Sequence, residues 1–313
     1  MHVAVIMPAR DEEKLISKSI SSVPDFVDCL IVVDDGSTDS TAEIAMNTLE
    51  SWSSGRSVIA QCVRANGEGV GAAIMHGVHH LSQIVESTEH WSVVVMAGDG
   101  QMDPDDLPNL ISKLNDFDHV KGNRFIHSSG VRNMPLIRRL ASMTIGFLTS
   151  LATGWKWRDP QCGYTASKLE LLLSHSELSE WKGYGYPNWW ALCFSQTSEN
   201  VGEVAVKSVY GEEVSGIQIP RFLPKVSMML FTGIWRRGWS WYVLGRGRRK
   251  ANIIVRSIVV LLWFTGWISL IWSPLYPSTF FLPFVLFTIV RYIDRREQLV
   301  RTRLSTGFEM QYH

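Results

Sequence analysis

Two carboxylate-bearing runs are the places where this chain could do chemistry. In Val32-Val33-Asp34-Asp35-Gly36-Ser37-Thr38-Asp39-Ser40-Thr41, an apolar segment leading in from Cys29 ends in paired carboxylates, then a glycine, then a Ser/Thr/Asp cluster. The apolar part reads as a buried strand, the glycine frees the backbone to turn, and the cluster suits the start of a helix. Carboxylates at the C-terminal end of an early strand in an open α/β sheet face the ligand crevice. There they accept hydrogen bonds from a base or ribose, or hold a cation, which suits a nucleotide diphosphate sugar better than a bare phosphate ester. An ordinary strand followed by a capped turn fits the same residues.

The second run is Met96-Ala97-Gly98-Asp99-Gly100-Gln101-Met102-Asp103-Pro104, after the strongest strand of the first half. Asp99 and Gln101 alternate, so on an extended segment both point to one side. Two oxygen ligands suit a hard divalent cation whose shell is completed by phosphate oxygens. Asp103, Asp105 and Asp106 read as a helix start, where carboxylates complement the positive end of the helix; capping accounts for Asp105 and Asp106.

These runs need a frame. Val3 to Met7 reads as a strand closed by Pro8, followed by a helix over Asp11 to Ser22. Leu30 to Val33 is a strand, with a helix from about Ser40 to Leu49. Val58 to Val63 is a weaker strand leading into Asn66-Gly67-Glu68-Gly69-Val70-Gly71-Ala72-Ala73, a glycine-spaced helix start, and Trp91 to Met96 is the next strand. Strand and helix in alternation predict an α/β, doubly wound, largely parallel sheet.

The bulk composition excludes several classes. With 313 residues there is room for one sizeable α/β domain and an appendage. The formal net charge is zero, which gives no global electrostatic case for nucleic acid. Cys29, Cys62, Cys162 and Cys193 are scattered without zinc-ligand spacing, and reduced thiols in a cytosolic compartment are the expectation. His76, His79 and His80 share a helical neighbourhood without a carboxylate at ligand spacing. The glycines at 67, 69 and 71 miss the dinucleotide fingerprint. The amino terminus enters a strand without the basic and apolar regions of a signal peptide, so the catalytic part is expected in the cytosol.

After Ser215 the character changes. Met228, Phe231, Trp235, Trp239 and Tyr242 recur at helical spacing with Arg236 and Arg237 elsewhere, the pattern of helices lying in a bilayer surface. Asn252 to Trp272 is apolar over about a spanning length, and Arg256 near its edge can snorkel. Pro274 and Pro277 break the chain before Phe280 to Ile293, a second apolar stretch. Basic residues at 246–250 and 291–303 flank the pair, placing both ends in the cytosol. The expected divisions are a catalytic domain over 1–216, interfacial helices over 217–250, two transmembrane helices over 251–293 and a basic cytosolic tail over 294–313.

Pro8-Ala9-Arg10-Asp11-Glu12, VVDDGSTDST, NGEGVGAA, GDGQMDP, Lys121-Gly122-Asn123-Arg124 and Asp159-Pro160-Gln161-Cys162-Gly163-Tyr164 follow one another in a familiar order. Together they resemble a family 2 glycosyltransferase of the GT-A fold. With the hairpin, the chain is most similar to the polyprenyl-phosphate glycosyltransferases, the dolichol-phosphate mannose synthases among them. The resemblance implies that Pro8, Arg10, Glu12, Val33 and Asp35 line the nucleotide pocket, and that Gly98, Asp99 and Gln101 bind diphosphate through Mg²⁺ or Mn²⁺ held by Asp99 and Gln101. It implies that Arg124 and Arg138 bind phosphate on the acceptor side and that Asp159 closes the site, unless Asp159 is a structural aspartate.

The chain departs from the family pattern at Ala97, where an acidic residue is usual, at Trp189, where relatives often carry Asn-Asp over 188–189, and at Ser208, where mannose synthases carry arginine. Lys207 could compensate as a point charge and not a planar fork. These departures bear on the sugar and the acceptor, and leave the nucleotide pocket in place.

What the resemblance implies is an inverting transfer from GDP-mannose or a UDP-hexose to a polyprenyl phosphate, by a protein integral to a cell membrane or endomembrane with its catalytic domain on the cytosolic side. A lipid phosphate is already mostly ionised, its second pKa being about 6, so no strong base is needed. A hydroxyl acceptor such as a lipid-linked glycan or glycolipid would need one, with Asp159 the candidate. A catalytically silent membrane protein that senses nucleotide sugar is the reading from another class, and Ala97 and Trp189 are its support. The sequence specifies no oligomeric state.

Overall fold

Residues of strict alternation build the first half. In β1 (His2–Ala9), Val3, Val5, Met7 and Ala9 enter one core while Ala4 and Ile6 enter the other. In β2 (Cys29–Asp34), Leu30 and Val32 join the first, and Cys29, Ile31 and Val33 the second. A strand buried on both faces reads as an unbroken apolar run, which is why these segments are so apolar. The structure is a computed structural model. It describes residues 1–126, 136–197, 199–207, 209, 219–245 and 252–306, with the backbone alone for 136–138, 219–221 and 298–306.

The remaining strands are β3 (Ile59–Arg64), β4 (Trp91–Val95), β5 (His119–Asn123), β6 (Thr165–Lys168) and β7 (Val201–Ala205), and the sheet order is β3-β2-β1-β4-β6-β5-β7. β1, β2, β3 and β4 run parallel, as expected. β6 is antiparallel to both β4 and β5, and β7 is parallel to β5, so the sheet is mixed. Helices α1 (Ile16–Ser21), α2 (Thr41–Ser53) and α4 (Leu107–Ser112) cover one face. Helices α3 (Val70–Ile84), α6 (Leu169–Ser174) and α7 (Tyr186–Ser195) cover the other. The helix expected from Asp11 is confined to Ile16–Ser21, because residues 11–15 form a turn with Asp11 at φ 55°.

A further layer lies beyond α7. Helix α5 (Leu136–Thr153) packs on α8 (Ile219–Gly238), with Ile145, Ala152, Leu192, Val226, Met229 and Leu230 in their shared core. A π-helical turn, Trp239–Val243, continues α8 towards α9 (Ile253–Trp272), which pairs with α10 (Leu282–Thr306). Among the described residues, α9 alone is long and apolar enough to cross a membrane. α10 does not end at 293. It continues as one helix through Asp294, Arg295, Arg296 and Glu297, so the helix that contains most of the expected second span is apolar only in its first part, and the expected tail is helical to Thr306.

Two sequence expectations change here. Arg256 does not snorkel: its Nε–H donates to the Tyr242 carbonyl at 3.0 Å and its Nη2–H to the Val243 carbonyl at 2.7 Å, capping the π-helical turn. Arg237 and Tyr242 do not face outward. Arg237 is buried and donates from Nη1 and Nη2 to the two oxygens of Asp294 of α10, each at 2.8 Å, and Tyr242 Oη–H donates to the same carboxylate at 2.6 Å. Arg237 also donates from Nε to the Ala152 carbonyl at 3.0 Å and from Nη2 to that of Leu151 at 2.9 Å. One guanidinium thus satisfies the end of α5 and joins α5, α8 and α10.

Removing one member of a buried ion pair leaves the other charge uncompensated. Asp294→Ala should therefore lower stability by about 3–5 kcal/mol. The double variant Arg237→Met/Asp294→Leu, which removes both charges, should recover most of that loss. The thermal midpoints of the two variants in detergent test this ordering.

Candidate active site

The C-terminal tips of β1, β2 and β4 are stitched together. Pro8 and Val33 face each other across β1 and β2. The Asp35 N–H donates to the Ala9 carbonyl at 2.9 Å and the Gly98 N–H to the Pro8 carbonyl at 3.0 Å. A Cβ on Gly98 would stand 2.8 Å from Ile16 Cδ1 and 3.1 Å from Ala9 Cβ, so only glycine lets the β4 turn come this close. The Ser/Thr/Asp cluster does more than start α2. Ser37 Oγ accepts from the Asp11 N–H at 3.0 Å, Thr41 Oγ1 accepts from the Glu12 N–H at 2.7 Å, and Asp11 Oδ1 accepts from the Thr38 N–H at 2.8 Å. These bonds hold the Arg10–Glu12 turn against β2, with Arg10 exposed beside the Gly67 carbonyl at 3.5 Å.

The paired aspartates separate into two roles. Asp34 accepts from the Ser37 N–H at 3.0 Å and faces Arg64 Nε at 3.7 Å, and so shapes the turn. Asp35 Oδ2 accepts from the Gly69 N–H at 2.9 Å, while its buried Oδ1 has no hydrogen-bond partner among the described residues. Burial raises the Asp35 carboxyl above the usual carboxylate range, opposed by the Gly69 N–H and by Arg10. A buried acceptor left open is costly, and a ligand donor satisfies it.

Asp99 and Gln101 lie on a tight turn and not on the extended segment expected. Gly100 takes φ 70°, and Asp99 Oδ1 accepts from the Gln101 N–H at 3.0 Å. Asp103 is committed elsewhere: Oδ1 accepts from the Asp105 N–H at 3.1 Å and Oδ2 from Lys207 Nζ at 2.8 Å. Lys207 is therefore bound to Asp103, whose hydrogen bond and charge hold its ammonium pKa up. Ser208 lies outside the described residues. Among the described residues, no cluster of three or more His, Cys, Asp or Glu side chains is assembled to hold a metal. One carboxylate with one amide oxygen fits a Mg²⁺ or Mn²⁺ ion that takes the rest of its shell from diphosphate and water.

On the other side of the sheet's midline, Arg124 follows β5. Its Nε–H donates to Asp159 Oδ2 at 2.7 Å, its Nη2–H to Oδ1 at 2.8 Å, and its backbone N–H to Oδ2 at 3.1 Å. Burial opposes charge on Asp159, but the Arg124 guanidinium outweighs it and holds the carboxyl below the usual range. A carboxylate so engaged is a poor proton acceptor at neutral pH and a good holder of an arginine. Beneath the pair lie two charges that the sequence reading missed. Lys121 is fully buried, donates to the Cys162 carbonyl, and has its pKa brought down to about 8 by burial. Glu203 accepts from Asn123 Nδ2 at 2.9 Å, and burial pushes its carboxyl up. Arg138 is in α5, with its side chain outside the described residues.

Tyr184 was also missed. It is 53% exposed, and its phenol is raised by partial burial and by the carboxylates of Asp99, Glu12 and Asp35, which places it beside them. Its loop is fastened to the start of α3, where the Gly71 and Ala72 N–H groups donate to the Lys182 carbonyl at 2.8 and 3.2 Å. Gly69, at φ 116°, passes so near this loop that a Cβ would meet the Lys182 oxygen at 2.7 Å. The Gly183-Tyr184-Gly185 spacing was the available signal. Trp189, the departure noted in the sequence, stacks on Trp181 and donates to the Glu177 carbonyl at 2.7 Å. Both indoles line a groove of about 670 Å³ against Met228 and Met229 of α8, and none of Asp35, Asp99 and Gln101 lines it.

Two outcomes follow from these environments. Because the Asp35 carboxyl is raised in the folded state, its ionisation costs stability as pH rises through the folded value. Asp35→Asn should thus stabilise the protein by about 1 kcal/mol at pH 7, with the gain vanishing below about pH 4, while weakening nucleotide binding. Chemical denaturation and calorimetric nucleotide titration measure the two effects. Asp159 has the opposite sign: its contribution is present above the unfolded pKa of about 4 and is lost as pH falls through the lower folded value. Asp159→Asn should lower stability by about 3 kcal/mol at pH 7, and the gap to the parent should narrow in acid.

The Glycosyl transferase family 2 profile matches residues 4–173. The UDP-N-acetylglucosamine–dolichyl-phosphate N-acetylglucosaminyltransferase of Methanococcus voltae is 30% identical over 223 residues, covering 67% of this chain and 86% of that protein. The undecaprenyl-phosphate mannosyltransferase of Micrococcus luteus is 26% identical over 194 residues, covering 59% and 74%. Among solved structures, glucosyl-3-phosphoglycerate synthase from Mycobacterium tuberculosis with Mn²⁺, UDP and glucosyl-3-phosphoglycerate superposes with a TM-score of 0.52 at 20% identity. It covers 75% of this chain and 79% of its own. The α/β fold with its mixed sheet is therefore GT-A-like, and the reading as a silent sensor gives way to an enzyme. The chain belongs to glycosyl transferase family 2 and is a glycosyltransferase.

Proposed function

We propose that the protein transfers a sugar from a UDP-sugar, an N-acetylhexosamine or a hexose, to a polyprenyl phosphate at the cytosolic membrane surface, with inversion and with Mg²⁺ or Mn²⁺. The observation that carries this reading is the open buried oxygen of Asp35, set among the stitched strand tips on the side where Asp99, Arg10 and Tyr184 gather. Asp35 accepts a hydrogen bond from the base or ribose. Pro8 and Val33 form the apolar floor, and Arg10 and Glu12 flank the nucleotide. Gly98 lets the turn that carries Asp99 and Gln101, which hold the cation beside the diphosphate, close on β1. When bound, the cation neutralises charge on the departing nucleoside diphosphate.

On the acceptor side the nucleophile is an ionised phosphate oxygen, so the site needs alignment and charge and not a general base. Arg124, fixed by its bidentate bond to Asp159, meets that phosphate, and Arg138 contributes from α5. In this reading Asp159 positions Arg124. Its commitment to the guanidinium favours a phosphate acceptor over a hydroxyl, which would need a base. The relatives that act on dolichyl and undecaprenyl phosphate support the acceptor, and the UDP-linked donor of the more similar one supports the nucleotide. The α9–α10 pair anchors the site to the bilayer.

The full chain in detergent, given Mn²⁺ and a polyprenyl phosphate, should move label from one of UDP-N-acetylglucosamine or UDP-glucose into the organic phase, and chelator should stop it. Asp99→Asn should lower kcat about 10²-fold or more with nucleotide still bound. Label from GDP-mannose alone overturns the donor assignment. Bound nucleotide without any lipid label overturns the acceptor assignment.

A further inference from the structure

Beneath the Arg124–Asp159 pair stand Lys121 of β5 and Glu203 of β7, which the transfer itself does not use. The two are direct partners in the parallel register of these strands, and Asn123 stands two residues along from Lys121. Alternation along a strand puts all three side chains on one face of the sheet. The chain from Arg158 to Cys162, which carries Asp159, is bonded to that face at both ends. At its start, Glu203 Oε1 accepts from the Arg158 N–H at 3.3 Å and from the Asp159 N–H at 3.4 Å. At its end, Lys121 Nζ donates to the Cys162 carbonyl. The other oxygen of Glu203 accepts from Asn123 Nδ2 at 2.9 Å, and Asn123 Oδ1 accepts from the Phe125 N–H at 3.0 Å. These bonds secure both the turn that grips the Arg124 guanidinium and the backbone on which Arg124 stands.

We infer that Glu203 and Lys121 are positioning residues for the transfer: they pin the Arg158–Cys162 turn at its two ends and so hold Asp159 where it aims Arg124 at the acceptor phosphate. Neither touches a reacting atom. The inference rests on the proposal that Arg124 meets that phosphate. A bidentate carboxylate fixes a guanidinium relative to itself, so Arg124 is only as well placed as the turn under Asp159. The bond that closes this turn, from the Cys162 N–H to the Asp159 carbonyl at 3.3 Å, does not attach it to the sheet. Glu203 and Lys121 supply that attachment.

Two further features fit the role. A Cβ on Gly122 would stand 2.8 Å from Val206 Cγ2 and 3.1 Å from Cys162 Sγ, so the missing side chain lets the turn settle directly on β5. The charges of Lys121, Arg124, Asp159 and Glu203 are two of each sign, and buried charges persist where they are paired. Asp159 and Glu203 both favour the Lys121 ammonium against its burial. Fixing the turn matters because a misplacement of about 1 Å at an aligned group costs on the order of 10²-fold in rate.

Binding of farnesyl phosphate to the full chain in detergent, with Mn²⁺ and UDP present, tests this by calorimetry without requiring turnover. Glu203→Ala and Lys121→Met should each weaken it about tenfold, with affinity for UDP kept within about twofold. Two milder variants separate position from charge. Glu203→Asp keeps the charge but withdraws the oxygens by one methylene, and should lose acceptor affinity. Glu203→Gln keeps an oxygen for the Arg158 and Asp159 N–H groups, and should retain most of it. In an Arg124→Ala background, Glu203→Ala should add no further loss, since a residue that acts through Arg124 has nothing left to place. Acceptor affinity unchanged in Glu203→Ala, the reverse order of the Asp and Gln variants, or equal loss for UDP and farnesyl phosphate overturns the inference. So does a full second loss in the Arg124→Ala background, which leaves Arg124 on the acceptor side. Arg124→Ala with farnesyl phosphate binding unchanged overturns the reading of Arg124 itself, and the inference with it.

Discussion

The structure depends on one carboxylate held at the meeting point of three segments. Asp35 is bonded through its backbone to β1 and through Oδ2 to the Gly69 N–H just before α3, and it leaves Oδ1 buried and open. That arrangement requires the tips of β1, β2 and β4 to end in register, which the parallel pairing supplies. It also requires the Arg10–Glu12 turn to be folded back by the hydroxyls of Ser37 and Thr41. The stability given up at this carboxylate is recovered from the apolar strands around it, where Ile31, Val32 and Val33 are wholly buried and each contributes about 2 kcal/mol. A site poised in this way is less stable empty than filled, the usual relation between a binding site and its fold.

Two buried arginine–aspartate pairs organise the rest. Arg124–Asp159 fixes a guanidinium just after β5, and Arg237–Asp294 joins the α5–α8 layer to α10. Both use the planar guanidinium against both carboxylate oxygens, a geometry that lysine cannot reproduce. Buried pairs of this kind add little net stability relative to apolar residues, but they specify one arrangement because any other leaves a charge unpaired. Between them α5 acts as a strut: its buried face meets the loop of Asp159, and its carbonyl end meets Arg237.

Much of this was legible in the sequence. Strands buried on both faces must be continuous apolar runs, so β1, β2 and β4 stand out, and the carboxylates at their ends mark the crevice. The strength of α9 as an apolar segment needs no tertiary information, since its length and composition suffice. Local chemistry also marked the helix start at Asp103, which accepts from the Asp105 N–H, but not the tight turn over Asp99–Gln101, whose alternation reads as an extended segment. By contrast, β6 is four residues long and pairs antiparallel with two strands distant in sequence, which leaves no period to read.

What the sequence by itself determined is therefore the set of elements whose signal is local: the parallel half of the sheet, the carboxylate turns and the apolar helix. Only the tertiary structure decided which polar groups were spent on one another. Asp34 and Asp35 are adjacent and chemically identical, yet one is turned to Ser37 and Arg64 and the other to Gly69, each keeping one buried oxygen without a hydrogen-bond partner among the described residues. Lys207, Asp159, Arg237 and Arg256 all find partners in distant segments or in another element. The physical reason is that a charge's role depends on what lies within a few ångströms of it, and the chain reveals that only after it has folded.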